Sequence, residues 1–90
     1  MADVIDNPRL SRFELTEQGL TAFAEYDRDG DRLVIPHVEA PPALRGTGAA
    51  GRLMHGMLAH IRSAGLKVVP LCPYAAAYIR RHPEWDDVLA

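Results

Sequence analysis

The apolar residues of this 90-residue chain change period after Val38, and that change restricts the fold more than any other feature. Up to Val38 they alternate, the period of a half-buried strand. From Ala50 to Ile61 they recur at helical spacing: Ala50, Leu53, Met54, Met57, Leu58 and Ile61 fall at i, i+3, i+4, i+7, i+8 and i+11. Between the two regimes stand Pro41-Pro42, which end a strand, and the glycines Gly46, Gly48 and Gly51. A chain patterned this way must fold as strands first and a helix second, packed through one face of each.

The alternating part predicts three strands. Leu10 to Leu15 places Phe13 and Leu15 on one face. Leu20 to Asp27 places Leu20, Ala22, Ala24 and Tyr26 together. Leu33 to Val38 divides into Leu33/Ile35/His37 and Val34/Pro36/Val38. Glu17-Gln18-Gly19 and Asp27-Arg28-Asp29-Gly30-Asp31 read as tight turns, which makes the three strands an antiparallel meander. Ala64-Gly65 closes the long helix. Leu66 to Leu71 reads as a buried strand, and Cys72-Pro73 opens a second helix that runs to about Arg81, before His82-Pro83. The expected order is β-β-β-α-β-α. The expected class is α/β with α+β layering: a mixed sheet in which a meander is followed by a parallel, right-handed β-α-β crossover. Residues 1–9 read as a flexible lead-in, and residues 10–90 as one domain.

Composition bounds the function. Apolar residues at 48% and charged residues at 24% are globular values. No apolar run reaches the roughly 20 residues of a bilayer span, and the acidic start, Met1 to Asp6, lacks the apolar stretch of a signal peptide. The single cysteine, Cys72, excludes an internal disulfide and a zinc site built on several thiolates. A cytoplasmic protein is the expectation. The net charge of -2 conceals an asymmetry. Residues 1–44 hold four arginines against nine acids, whereas residues 45–81 hold six bases and no acid. The basic half points to an anionic partner or to a solvated basic face.

Arg45-Gly46-Thr47-Gly48-Ala49-Ala50 lies between strand and helix. A helix N-terminus leaves backbone N–H groups unpaired at the positive end of the dipole, and glycines admit a ligand close to the chain. Phosphate is the expected guest. Gly46-x-Gly48-x-x-Gly51 also matches the dinucleotide fingerprint. Its context does not: a meander precedes it, Leu71-Cys72 stands about 20 residues on, and the next acid is Glu84. No Gly-Lys-Ser/Thr follows the glycines, so a Walker A loop is excluded as well.

Arg45-x-x-Gly48-x-Ala50 resembles the pyrophosphate loop, Arg/Gln-x-x-Gly-x-Gly/Ala, of the GNAT family of acyl-CoA-dependent N-acetyltransferases. Three further segments are similar to its short, single-domain YjdJ-type members: His37-Val38-Glu39-Ala40-Pro41, Lys67-Val68-Val69-Pro70-Leu71-Cys72-Pro73-Tyr74, and Tyr78-Ile79-Arg80-Arg81-His82-Pro83-Glu84-Trp85. The resemblance spans roughly residues 10–88. It implies a GNAT-like mixed sheet with acetyl-CoA in a V-shaped opening between the third and fourth strands. The pyrophosphate then meets Arg45, Gly46, Thr47, Gly48, Ala49 and Ala50. The pantetheine pairs with backbone from His37 to Ala40, in particular Val38 and Ala40, where the subfamily carries Thr and Val. The thioester points toward Cys72, Tyr74 and Tyr78. The implied reaction is acetyl transfer from acetyl-CoA to a primary amine, on a small molecule or a protein lysine, without a metal.

Transfer needs a neutral amine, a polarised thioester and a proton for the leaving thiolate. Tyr78 resembles the family's acid, and Tyr74 shares its face at i, i+4. His37 and Glu39 are base candidates, Glu39 through water. Cys72, ahead of a helix N-terminus, is either a relay nucleophile, a neighbour of the CoA sulfur or a small core residue. One of Arg62, Arg80 and Arg81 is a candidate for the remaining phosphate of CoA, the bland alternative being a solvated face. His55 and His60 stand about 140° apart on the helix and predict no metal pair. Asp27 to Asp31 lacks the glycine and glutamate positions of a calcium loop. Two rival readings are a non-catalytic acyl-CoA-binding module and, less favoured for want of an aromatic platform among the basic residues, a nucleic-acid binder.

Overall fold

The computed structural model describes residues 3–90; Met1 and Ala2, the start of the lead-in, lie outside the described residues. Five strands form one sheet in sequence order: β1 (Ile5–Asn7), β2 (Arg12–Glu17), β3 (Leu20–Asp29), β4 (Arg32–Glu39) and β5 (Lys67–Pro70). β1 to β4 pair antiparallel, and β5 joins β4 in parallel. Helix α1 (Ala49–Ser63) is the crossover, and α2 (Pro73–Arg81) follows β5. A short 3-10 turn, Pro42–Leu44, precedes the glycines, and a second one, Pro83–Val88, follows α2. No helix among the described residues is long and apolar enough to cross a membrane.

Turn chemistry fixes the register. Gln18 (φ 55°) and Gly19 (φ 73°) form a two-residue loop with both residues left-handed, and Glu17 pairs with Leu20 across it. Gly30 (φ 63°) leads the β3–β4 loop and Asp29 pairs with Arg32. The acidic run there is a hairpin. Gly65 (φ 71°) ends α1, and Pro73 occupies the first turn of α2.

The stripe on α1 is buried: Leu53, Met54, Met57, Leu58 and Ile61 pack on Phe13 and Leu15 of β2 and on Ala22 and Ala24 of β3. Each such side chain contributes about 1.5–3 kcal/mol by leaving water. Ala75 and Ile79 of α2 and Trp85 and Val88 of the last 3-10 turn complete the same core. β1 was not among the expected elements. It is only three residues long, too short for a periodicity signal, and it is held by pairing to β2 and by Val4, which fills a notch at Gly56. A Cβ on Gly56 would collide with a Val4 methyl.

One irregularity shapes the rest. Glu25 pairs with His37 but Asp27 pairs with Val34, so β4 carries one extra residue in the stretch containing Pro36. Proline has no N–H to give to a ladder and fits such a bulge. The bulge slips the alternation by one. The expected grouping of His37 with Leu33 and Ile35, and of Val38 with Val34, is therefore corrected. Val38, opposite Ala24, and Ala40 face the core, while His37, opposite Glu25, and Glu39, opposite Phe23, lie on the far face of the sheet.

Candidate functional site

Ile35 and the residues after Pro70 end the parallel ladder. The Leu71 and Cys72 amides both donate to the Ile35 carbonyl, at 3.1 and 2.9 Å, and the chain then turns into α2. β4 runs on without β5, and the two strands split. Before the bulge, Ile35 directs its main chain toward β5. After it, the slipped alternation turns the N–H and C=O groups of Val38 and Ala40 toward that open edge. The Ala40 carbonyl accepts from Arg45 Nε at 3.3 Å.

The glycine loop lies beside this split. Ala40, Leu44, Arg45, Gly46, Gly48, Ala49, Ala50, Gly51 and Tyr74 line one groove of about 350 Å³. Gly46 (φ 79°) and Gly48 (φ 87°) are left-handed, and Gly48 is the N-cap of α1. Some loop groups are already used: Thr47 N–H and Oγ1 both donate to the Leu44 carbonyl, at 3.2 and 2.5 Å, and Thr47 Oγ1 accepts from the Ala49 amide at 3.3 Å. The amides of Gly46, Gly48, Ala50 and Gly51 have no acceptor among the described residues. Unpaired donors at a positive helix end, with Arg45 alongside, have the chemistry that suits an anion such as phosphate. Thr47 is the exception among the expected loop residues, because its side chain braces the loop instead of lining the groove.

Helix α2 supplies the other wall. Cys72 is its N-cap, buried in the core with its amide held by Ile35. Tyr74 lines the groove, and Tyr78, one turn on, packs against Gly51 at the start of α1. The Tyr78 ring stacks on His82, centroids 4.0 Å apart, and the His82 ring nitrogen Nδ1 lies 2.8 Å from the Tyr78 carbonyl. Burial pushes the Tyr78 hydroxyl above its ordinary range, with the neighbouring Tyr74 and Glu84 adding to the rise. Burial also raises Tyr74, against the pull of Arg81 nearby. Both hydroxyls hold their protons at neutral pH and can donate them.

The His37 and Glu39 side chains meet, Nε2 to Oε1 at 3.2 Å, with the His37 ring 6.1 Å from that of Phe23. Both are half-exposed, on the sheet face away from the helices, so groove and base candidates approach the split from opposite sides. Arg62 is not available to a ligand. Its guanidinium grips both Asp87 oxygens, at 3.0 and 2.6 Å, donates to the Glu84 carbonyl and lies over the Trp85 ring at 4.2 Å. His55 packs against Trp85 and His60 against Phe13, in separate contacts. Sequence reasoning missed Leu44 and Gly51 as groove residues. It also missed Arg52, which ties the loop to the β2–β3 hairpin through Glu17 at 2.7 and 2.8 Å. Gly51 stood in the visible glycine cluster; the Arg52 pairing spans 35 residues and left no local signal.

A mixed sheet thus splits beside a glycine loop of unpaired amides, with the Tyr74 and Tyr78 hydroxyls on one side and the His37–Glu39 pair on the other. The model of the GCN5-related N-acetyl-transferase family matches residues 12–88, and the chain belongs to that family. No curated protein matches the chain significantly. Among solved structures it is similar in fold to a GCN5-like protein from Staphylococcus aureus, itself proposed to be an N-acetyltransferase and determined by NMR in solution. The TM-score is 0.69 and the identity 19%, over 98% of this chain and 87% of that one.

Proposed function

We propose that this protein transfers an acetyl group from acetyl-CoA to a primary amine, on a small molecule or a protein lysine, and that it is one of the short YjdJ-type members of its family. The observation that carries the reading is the alignment of two sets of main-chain groups along one path. The unpaired amides of Gly46, Gly48, Ala50 and Gly51 line a groove that continues at Ala40 onto the open edge of Val38. A pyrophosphate joined to a pantetheine arm needs such a sequence of contacts: anion sites first, then amide pairing.

In this reading Arg45 adds a charge-assisted bond to the pyrophosphate, and Arg80 or Arg81 faces the remaining phosphate. The thioester enters the split next to Cys72. The neutral amine, arriving from the face of His37 and Glu39, attacks the acyl carbon. A C–N bond forms, the C–S bond breaks, and the amine proton passes to the His37–Glu39 pair, directly or through water. Tyr78 gives its proton to the departing thiolate, with Tyr74 as the alternate donor. Transfer is direct, and Cys72 is a neighbour of the sulfur.

The test is release of free CoA thiol from acetyl-CoA in the presence of a panel of primary amines and lysine peptides. At least one amine should accelerate release in proportion to enzyme. Saturable acetyl-CoA binding with no amine accelerating release would leave a non-catalytic binding module, and binding of nucleic acid in place of acetyl-CoA, steeply weakened by salt, would replace the reading altogether.

A further inference from the structure

We propose that Glu17, at the tip of the β2–β3 hairpin, is a positioning residue for the phosphate loop and acts through Arg52; the proposal rests on the reading of that loop as the CoA site. Glu17 is set by a rigid turn, since the two residues after it, Gln18 and Gly19, are both left-handed. Its carboxylate takes two parallel bonds from Arg52 Nε and Nη2, at 2.8 and 2.7 Å. The remaining arm of the same guanidinium, Nη1, donates to the Thr47 carbonyl at 3.1 Å.

That carbonyl is the one a continuous helix would pair with the Gly51 amide, four residues on. Arg52 satisfies it instead, and the Gly51 N–H stays directed at the groove. The guanidinium also crosses the loop at Gly48, where a Cβ would lie 2.9 Å from Nη1. Arg52 is therefore committed on one side to Glu17 and on the other to the loop backbone. It transmits the position of a hairpin 35 residues away to the amides that meet phosphate. A planar, forked cation suits this task, because its geometry is fixed once the carboxylate is bound. The bond to Arg52 also holds the Glu17 carboxyl below its ordinary range.

Electrostatics and positioning predict opposite signs here. Glu17→Gln removes a negative charge beside an anion site, which by charge alone tightens CoA. If Glu17 positions the loop, the same change weakens CoA. The experiment is calorimetric titration of wild type, Glu17→Gln and Arg52→Lys with CoA, paired with titration by acetyl-pantetheine, which lacks phosphate, followed at the Val38 and Ala40 amides by NMR. Glu17→Gln should lose about 3- to 10-fold in CoA affinity and Arg52→Lys, keeping one point of contact, less. Acetyl-pantetheine binding should be unchanged in both, and the Gly48 and Gly51 amide resonances should move in the ligand-free variants. Equal or tighter CoA binding by a folded Glu17→Gln protein overturns the positioning role. So does equal weakening of CoA and acetyl-pantetheine, which marks a general structural loss. If Glu17→Gln does not fold, Arg52→Lys carries the test, with unchanged CoA affinity as the contradicting result. Wild type that binds no CoA overturns the reading of the loop and the proposal with it, a result separate from any of the variant outcomes.

Discussion

The Cys72 amide donates to the Ile35 carbonyl at 2.9 Å, an oxygen that the Leu71 amide already engages at 3.1 Å. This double capture stops the β4–β5 ladder and starts α2 at the same point. The split between the strands and the N-terminus of α2 thus begin at one point, next to the bulge in β4, and Cys72 sits there.

That placement separates relay from direct transfer. With acetyl-CoA and no amine, direct transfer predicts no acetyl adduct by intact mass, and Cys72→Ala should keep most of the turnover. Tyr78→Phe should lower kcat by about 10²-fold or more with KM little changed, because a general acid acts only in the transition state. An adduct at Cys72 that forms and passes its acetyl group to an amine at the turnover rate would replace direct transfer by a relay.

The two left-handed loop glycines differ in a testable way. Alanine at either takes on left-handed strain of about 1–2 kcal/mol. At Gly46 the new Cβ meets nothing within 4 Å, whereas at Gly48 it meets Arg52 Nη1. Thermal unfolding should show a similar loss for both, and calorimetry should show that Gly48→Ala loses at least several-fold more CoA affinity than Gly46→Ala. Equal CoA losses would mean that Arg52 is not poised over the loop.

Arg45 tests charge against shape. Arg45→Ala should weaken CoA by about tenfold, the worth of one charge-assisted bond. Acetyl-pantetheine should hardly respond. Equal losses for both ligands would make Arg45 a structural residue acting through its bond to the Ala40 carbonyl.

Much of this architecture was legible in the sequence because it depends on local signals. The stripe from Ala50 to Ile61 fixed α1, Gly65 its end, Pro73 the start of α2, and Gly19 and Gly30 the hairpins. The glycine loop was legible for the same reason. The far side of the site was not. Alternation through Leu33 to Val38 reads smoothly, yet the bulge reverses the faces of His37 and Val38; the one clue was Pro36, a proline inside a central strand. β1 and the turn at Trp85 depend on tertiary partners, Gly56 and Arg62, that no local pattern announces.

Tyr26 gives the fold a measurable alkaline limit. Burial, and then its 2.7 Å bond to Asp6, push its hydroxyl up to about 12, from 10.0. Its folded value lies above its unfolded value, so its contribution is complete below pH 10 and is lost as pH rises toward 12. The melting temperature of wild type should fall more steeply over that window than that of Tyr26→Phe, which keeps the ring contact with Phe13. Parallel curves would show that Tyr26 titrates alike in the folded and unfolded chain.

The central claim is that the path from the glycine loop to the β4 edge receives acetyl-CoA. It is tested most directly by titrating the isotopically labelled protein with acetyl-CoA and following the backbone amides. The account predicts saturable shifts at Gly46, Gly48, Ala50 and Gly51 together with Val38 and Ala40, sharing one dissociation constant, while the far end of the sheet around Tyr26 and His60 stays still. Shifts absent from the loop, or centred on the Tyr26 end, would contradict it.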